Sequence, residues 1–206
     1  GKFDDGCSIF KANLNSAVHK SSDIEKILTS CQNEMGVVNQ SIQRNKKLAP
    51  PTPFNLTNLQ KEAYRIFKMP PITTLFVSES LYLAGLISYP RTSSQKLPPS
   101  IGYKKILEQL SINHFKHNEN IIKDLLKAKY LVPNQGNEGD PAHPAIYPTG
   151  IKEKKLNLNQ HRILDLIIKR FLSSFGITAI IKFSEVSINV NGYQFNAEGN
   201  KILNYG

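Results

Sequence analysis

The dipeptide Asn191-Gly192 constrains this chain more than any other feature. Val186, Ile188 and Val190 alternate with polar residues before it, and Tyr193, Phe195 and Ala197 alternate after it. A type I′ turn needs two residues that tolerate positive φ, and Asn-Gly between two period-2 runs predicts a hairpin. Ile177 to Phe183 reads as a further strand. The N-terminal end has the same character: residues 8–18 (SIFKANLNSAV) read as a strand entering a turn, and 35–42 (MGVVNQSI) as another. Between them Ser22-Asp23-Ile24-Glu25 forms a capping box, followed by an amphipathic stripe of Ile24, Ile27, Leu28 and Cys31. The stretch NKKLAPPTPFN is too proline-rich for a helix and is an extended connector. The β character of both ends groups 1–56 and 177–206 into one discontinuous domain.

The character changes at residue 57. Thr57-Asn58-Leu59-Gln60 is a second capping box, and Leu59, Ala63, Ile66 and Phe67 form its helical stripe. Pro70-Pro71 break the helix. Thr73 or Thr74 caps the next one, with Val77, Leu81 and Ala84 on one face and Gly85 at the C′ position. Two short helices, a tight turn and a short extended segment make a winged-helix pattern. A third helix follows Pro99, a fourth covers 119–129, and 159–175 is a long helix with Ile163, Leu166, Ile167 and Phe171 inward. Residues 133–150 (PNQGNEGDPAHPAIYPTG) form a long loop, a type that is usually functional or disordered. The predicted fold is α+β: a β-containing domain with an inserted helical, winged-helix-like (CAP-like) domain over 57–176.

A net charge of +10 favours a polyanionic partner, although a solvated lysine-rich surface would give the same sum. Cys7 and Cys31 are too few for a disulfide framework and lack zinc-ligand spacing, so a reducing interior is the default. No run reaches the roughly 18 apolar residues of a membrane span. The chain begins without methionine and ends at NYG within a strand pattern, as an excised fragment would.

Tyr89-Pro90-Arg91 carries the strongest chemical signal. A residue before proline is held extended, so Tyr89 is presented rigidly just past a helix. A free phenol attacks poorly at neutral pH and needs help with its proton and with charge growing on a phosphate. A guanidinium two residues away offers paired donors to non-bridging oxygens. Thr92, Ser93 and Ser94 add hydroxyls suited to phosphate. His143, held extended between prolines, could shuttle a proton or donate to a phosphate, but the residues alone favour a surface or loop-packing histidine. His19, His114, His117 and His161 show no ligand spacing. No carboxylate cluster, GxxxxGK[ST] or GxGxxG occurs, so the chain offers no metal site and no nucleotide loop.

Four stretches, PFNLTNLQKEA (53–63), SLYLAGLISYPRTSSQKLP (80–98), DPAHPAIYPTG (140–150) and the closing β stretch, resemble the type IA DNA topoisomerases, most closely the archaeal branch near reverse gyrase. The resemblance implies that Tyr89 is the nucleophile forming a 5′-phosphotyrosyl ester and that Arg91 stabilises the scissile phosphate. Thr92 and His143 would contact DNA. It also implies that the β-rich domain is part of an arch around a central hole and that the helical domain swings to open a gate for another strand. The substrate would be single-stranded, underwound or unpaired DNA in the cytoplasm, associated with the nucleoid. No cofactor is expected within these residues. Mg²⁺ belongs to an acidic Toprim domain that, with a DNA-cradling base, would lie in the rest of the parent polypeptide. The chain departs from many relatives at Ser93 (Asp elsewhere), Glu79 (Gln) and Leu83 (Glu). The alternative from the residues alone is a non-enzymatic winged-helix DNA-binding module; an RNA-binding protein draws support only from charge.

Overall fold

The computed structural model describes residues 1–113, 119–152 and 155–205. His114 and His117 lie outside them. The hairpin forms at its predicted turn: β5 (Ala179–Val190) and β6 (Tyr193–Asn204) are joined by Asn191 at φ 49° and Gly192 at φ 89°. Asn189 Oδ1 accepts the Gly192 N–H and closes the turn. The remaining strands come from the other end of the chain. β4 (Val37–Leu48) pairs antiparallel with β5, and β3 (Asn13–Leu14) with β6, in the order β3-β6-β5-β4. β1 (Lys2–Asp4) and β2 (Ile9–Lys11) form a separate two-stranded sheet.

Three strand expectations are corrected. Residues 8–18 are not one strand, because the chain changes partner at the buried Ala12: β2 pairs with β1, and β3 with β6. The strand expected over 35–42 runs on to Leu48, because Arg44 to Leu48 keep backbone partners in β5; the break comes only where Pro50 and Pro51 lack an N–H. The two strands expected over 177–190 are the single β5. The capping box at Ser22 does not form either. The helix α1 (Ser21–Cys31) starts two residues earlier, with Lys20 at the N-cap and its carbonyl accepting from Asp23 and Ile24. Its Ile27 and Cys31 pack on a small core of Ala12, Ile188, Val190 and Phe195.

The chain divides into two compact units, Gly1–Leu48 with Thr178–Gly206, and Ala49–Ile177. The connector 49–56, assigned to the β-rich domain on sequence, falls in the second unit. Phe54 is buried there at 1% exposure and bridges Ile146, and Asn55 caps the next helix.

The second unit holds α2 (Leu56–Phe67), α3 (Pro71–Leu83), α4 (Tyr103–Asn113), α5 (Glu119–Lys127) and α6 (Leu158–Ser174). Two predicted caps move. Asn55, not Thr57, caps α2 by accepting the Asn58 N–H, and Pro71 starts α3 where its missing N–H costs nothing. The Thr74 hydroxyl, buried inside α3, bonds the Pro70 carbonyl. α6 opens with an Asn157/Gln160 capping box and buries Ile163, Leu166, Ile167 and Phe171 as predicted. It packs against α2 and α3, and the shared core adds Leu59, Leu81, Leu107 and Ile122.

Candidate active site

Tyr89 owes its position to the way α3 ends. Gly85, at φ 73°, donates to the Tyr82 carbonyl, and Leu86 donates to the Leu81 carbonyl. These two bonds are a Schellman motif, with buried Leu81 and Leu86 as its apolar contact. The chain leaves extended and runs antiparallel to the 133–150 loop. Ser88 N–H donates to the Tyr147 carbonyl at 2.9 Å, and Thr149 N–H to the Leu86 carbonyl at 2.9 Å. The Ser88 hydroxyl donates to the Ala145 carbonyl and accepts the Tyr147 N–H.

The strip from Ala145 to Thr149 is bonded on several sides. Ala145 N–H reaches the Lys96 carbonyl and Ile146 N–H reaches the Phe54 carbonyl, both at 2.8 Å. Residues 53–63, 80–98 and 140–150, remote in sequence, are thereby stitched into one place. Farther along, the Gln135 side chain clamps the backbone of Leu97, and Gln95 exchanges bonds with Gly136 and Glu138. Ser88→Ala is expected to strip the Tyr147 N–H and Ala145 carbonyl of their side-chain partner. It should destabilise the unit by about 1–2 kcal/mol, read as a lower urea midpoint at unchanged m-value.

The result is a meeting of Tyr89 and His143, with ring centroids 4.7 Å apart and planes inclined by 39°. Tyr82, from the last turn of α3, meets Tyr89 edge-on at 5.3 Å. Tyr89 is half-buried and Pro90 behind it is buried. Arg91 is exposed; its Nε–H donates to Glu79 Oε1 at 2.5 Å, which together with the carboxylate charge holds the guanidinium above its ordinary pKa. Asp140 accepts the Ala142 and His143 N–H groups. The Ala142 bond is the larger cause of a carboxyl held below its ordinary range. A cleft of about 470 Å³ beside His143 is lined by Ser94, Lys96, Pro98, Asp140 and Pro144 among others.

Thr92, the second candidate beside Tyr89, lies between the two segments. It is 4% exposed, and its hydroxyl donates to the His143 carbonyl and accepts the Ser94 N–H. It ties the Tyr89 segment to the His143 segment from inside. Among the described residues no group of three His, Cys, Asp or Glu side chains could hold a metal ion. Glu79 is tied to Arg91 and Asp140 to backbone N–H groups, so the residues here do not fit an Mg²⁺ site. No described helix is long and apolar enough to cross a membrane.

A family model described as DNA topoisomerase matches residues 2–206. The chain belongs to the type IA DNA topoisomerases. It is 37% identical over 202 residues to DNA topoisomerase 1 of Methanothermobacter thermautotrophicus, covering 98% of this chain and 27% of that one. It is 45% identical over 163 residues to DNA topoisomerase 1 of Aeropyrum pernix, covering 77% and 24%. It thus spans about a quarter of the length of these curated relatives. The fold matches full-length topoisomerase I of Thermotoga maritima with a TM-score of 0.65 at 23% identity, over 96% of this chain and 33% of that one. The archaeal relatives and the α+β fold agree with the sequence resemblance.

Two residues of this topoisomerase site escape sequence reasoning. Asn55 accepts the Asn58 N–H with Oδ1 while its Nδ2 donates to the Ser93 carbonyl and Glu138 Oε2. Its cap role was readable, since Asn stands directly before an apolar stripe. Its reach to Ser93 and Glu138 was not, nor was the Glu79–Arg91 pair, because no local pattern marks contacts between separate segments.

Proposed function

We propose that this chain is the tyrosine-bearing part of a type IA topoisomerase that breaks and rejoins one DNA strand. Tyr89 Oη attacks a backbone phosphorus; the new Tyr–O–P bond replaces the P–O3′ bond, the phenol loses its proton and the 3′ oxygen gains one. The 5′-phosphotyrosyl ester conserves the bond energy, so attack by the 3′ hydroxyl reseals the strand without ATP. The convergence of Tyr89, His143 and Arg91 supports this reading most. Arg91 stabilises charge on the non-bridging oxygens, and His143 contacts the phosphate or relays the proton. Thr92 serves by holding the two segments together. In the parent, the β-rich unit contributes to an arch, the helical unit moves as a gate for a second strand, and Mg²⁺ resides in a Toprim domain. Its substrate is single-stranded or underwound DNA in the nucleoid.

The test is adduct formation. This chain alone should not cleave a labelled single-stranded oligonucleotide. Adding the Toprim-containing N-terminal part of an archaeal relative with Mg²⁺ should produce protein linked to the DNA 5′ end on a denaturing gel. No adduct from a complex that demonstrably assembles on DNA would sink the proposal. Binding itself should weaken steeply with salt, by at least tenfold between about 50 and 200 mM, since the +10 chain releases counterions on contact. Salt-independent binding would argue against a phosphate-tracking surface.

A further inference from the structure

The Arg91 side chain is half exposed, at 52% accessibility, and it is nevertheless fixed. Glu79 supplies the fixing bond from α3, and its own side chain is 28% accessible. Three residues further along the same helix, Tyr82 packs edge-on against Tyr89. This i, i+3 spacing puts the carboxylate and the ring on one helix face. One helical surface therefore supports both the tyrosine and the arginine.

A guanidinium carries five N–H donors in a rigid planar fork. Glu79 takes the Nε–H, and among the described residues Arg91 makes no other hydrogen bond. Among the described residues the two Nη groups, the edge whose spacing matches two phosphate oxygens, have no hydrogen-bond partner. A flexible arginine would lose rotamer freedom on docking a phosphate, whereas one already held at Nε loses less.

We infer that Glu79 is a positioning residue that holds the Arg91 fork at Nε so that its Nη edge meets a DNA phosphate beside Tyr89. This rests on the reading of Arg91 as the phosphate partner. The opposing possibility is that the carboxylate masks Arg91 and competes with DNA. The two predict effects of opposite sign.

The experiment is fluorescence anisotropy of a labelled single-stranded oligonucleotide titrated with this chain at low salt. Glu79→Ala should weaken binding roughly fivefold, the scale of one exposed charged contact. Glu79→Gln, which keeps an acceptor oxygen for Nε–H, should stay within about twofold of the unmodified chain. In an Arg91→Ala background, Glu79→Ala should have no further effect. Ala is the best helix former, so the fold of α3 should survive; Glu79→Leu, similar in size and without an acceptor, is the second variant. Unchanged or tighter binding by Glu79→Ala overturns the inference, as does an equal loss in the Arg91→Ala background. If Arg91→Ala alone binds like the unmodified chain, it is the assignment of Arg91 that fails, together with the inference built on it. Adduct formation through Tyr89 is then judged separately.

Discussion

Tyr89→Phe is expected to abolish the covalent DNA adduct in the complemented complex while leaving the fold and DNA binding nearly unchanged. The substitution removes one atom. Among the described residues Tyr89 Oη makes no hydrogen bond within the protein, so its loss orphans no partner. The ring keeps its contacts with Tyr82 and His143, and such aromatic pairs are worth about 0.5–1.5 kcal/mol each. Stability should therefore stay within about 0.5 kcal/mol of the unmodified chain, as for substitutions away from critical contacts. Chemistry has no such reserve, because the nucleophile is the atom removed. Removing only an electrostatic helper typically costs about 10²–10³ in rate, and losing the nucleophile removes the covalent route itself. The measurement is the denaturing gel with 5′-linked protein, run beside anisotropy binding and thermal unfolding. An adduct formed by Tyr89→Phe would show that another residue attacks.

Asn55→Ala should destabilise the helical unit by about 2–4 kcal/mol. An N-cap is worth about 1 kcal/mol, and Asn55 caps α2 through the Asn58 N–H. The rest comes from the amide's other end. Asn55 is itself 5% exposed, and its amide reaches the Ser93 carbonyl and the Glu138 carboxylate, both on exposed residues that lose this donor in the variant. Each of these two hydrogen bonds contributes about 0.5–1.5 kcal/mol. The damage should also reach the site, because Leu56 N–H bonds the Thr92 carbonyl right beside that clamp. Asn55→Ser should recover about 1 kcal/mol by restoring the cap without the clamp. Urea unfolding measures both. Equal stability of the Ala and Ser variants would mean that the cap contributes nothing.

Tyr89, Arg91 and His143 were readable as candidates because each announces itself locally: a tyrosine locked before proline, an arginine two residues on, a histidine between prolines. The Schellman turn was equally readable, since only a residue at ease with positive φ suits Gly85. Errors fell where a pattern was local but its partner was not. The Thr57 and Ser22 capping boxes match the motif, yet Asn55 captured α2 through contacts to residues 93 and 138, and the first turn of α1 closed on Lys20. The Thr92 hydroxyl donates to the His143 carbonyl, a partner remote in sequence that no local pattern marks.

By itself the sequence determined the hairpin at Asn191-Gly192, the helices with apolar stripes, the breaks at proline and the candidacy of Tyr89 as a nucleophile. All of these depend on backbone sterics or on periodicity within one segment, and both are encoded by neighbours. Only the tertiary structure decided that β4 continues through a run of basic residues to Leu48, that residues 49–56 leave the sheet unit, and that Glu79 meets Arg91. It also brought the rings of Tyr89 and His143 within 4.7 Å by bonding the Ala145–Thr149 strip to residues 54, 86–88 and 96. Backbone N–H and carbonyl groups are the same in every residue, so a strip bonded on several sides leaves no mark in the sequence until burial requires each group to find its partner.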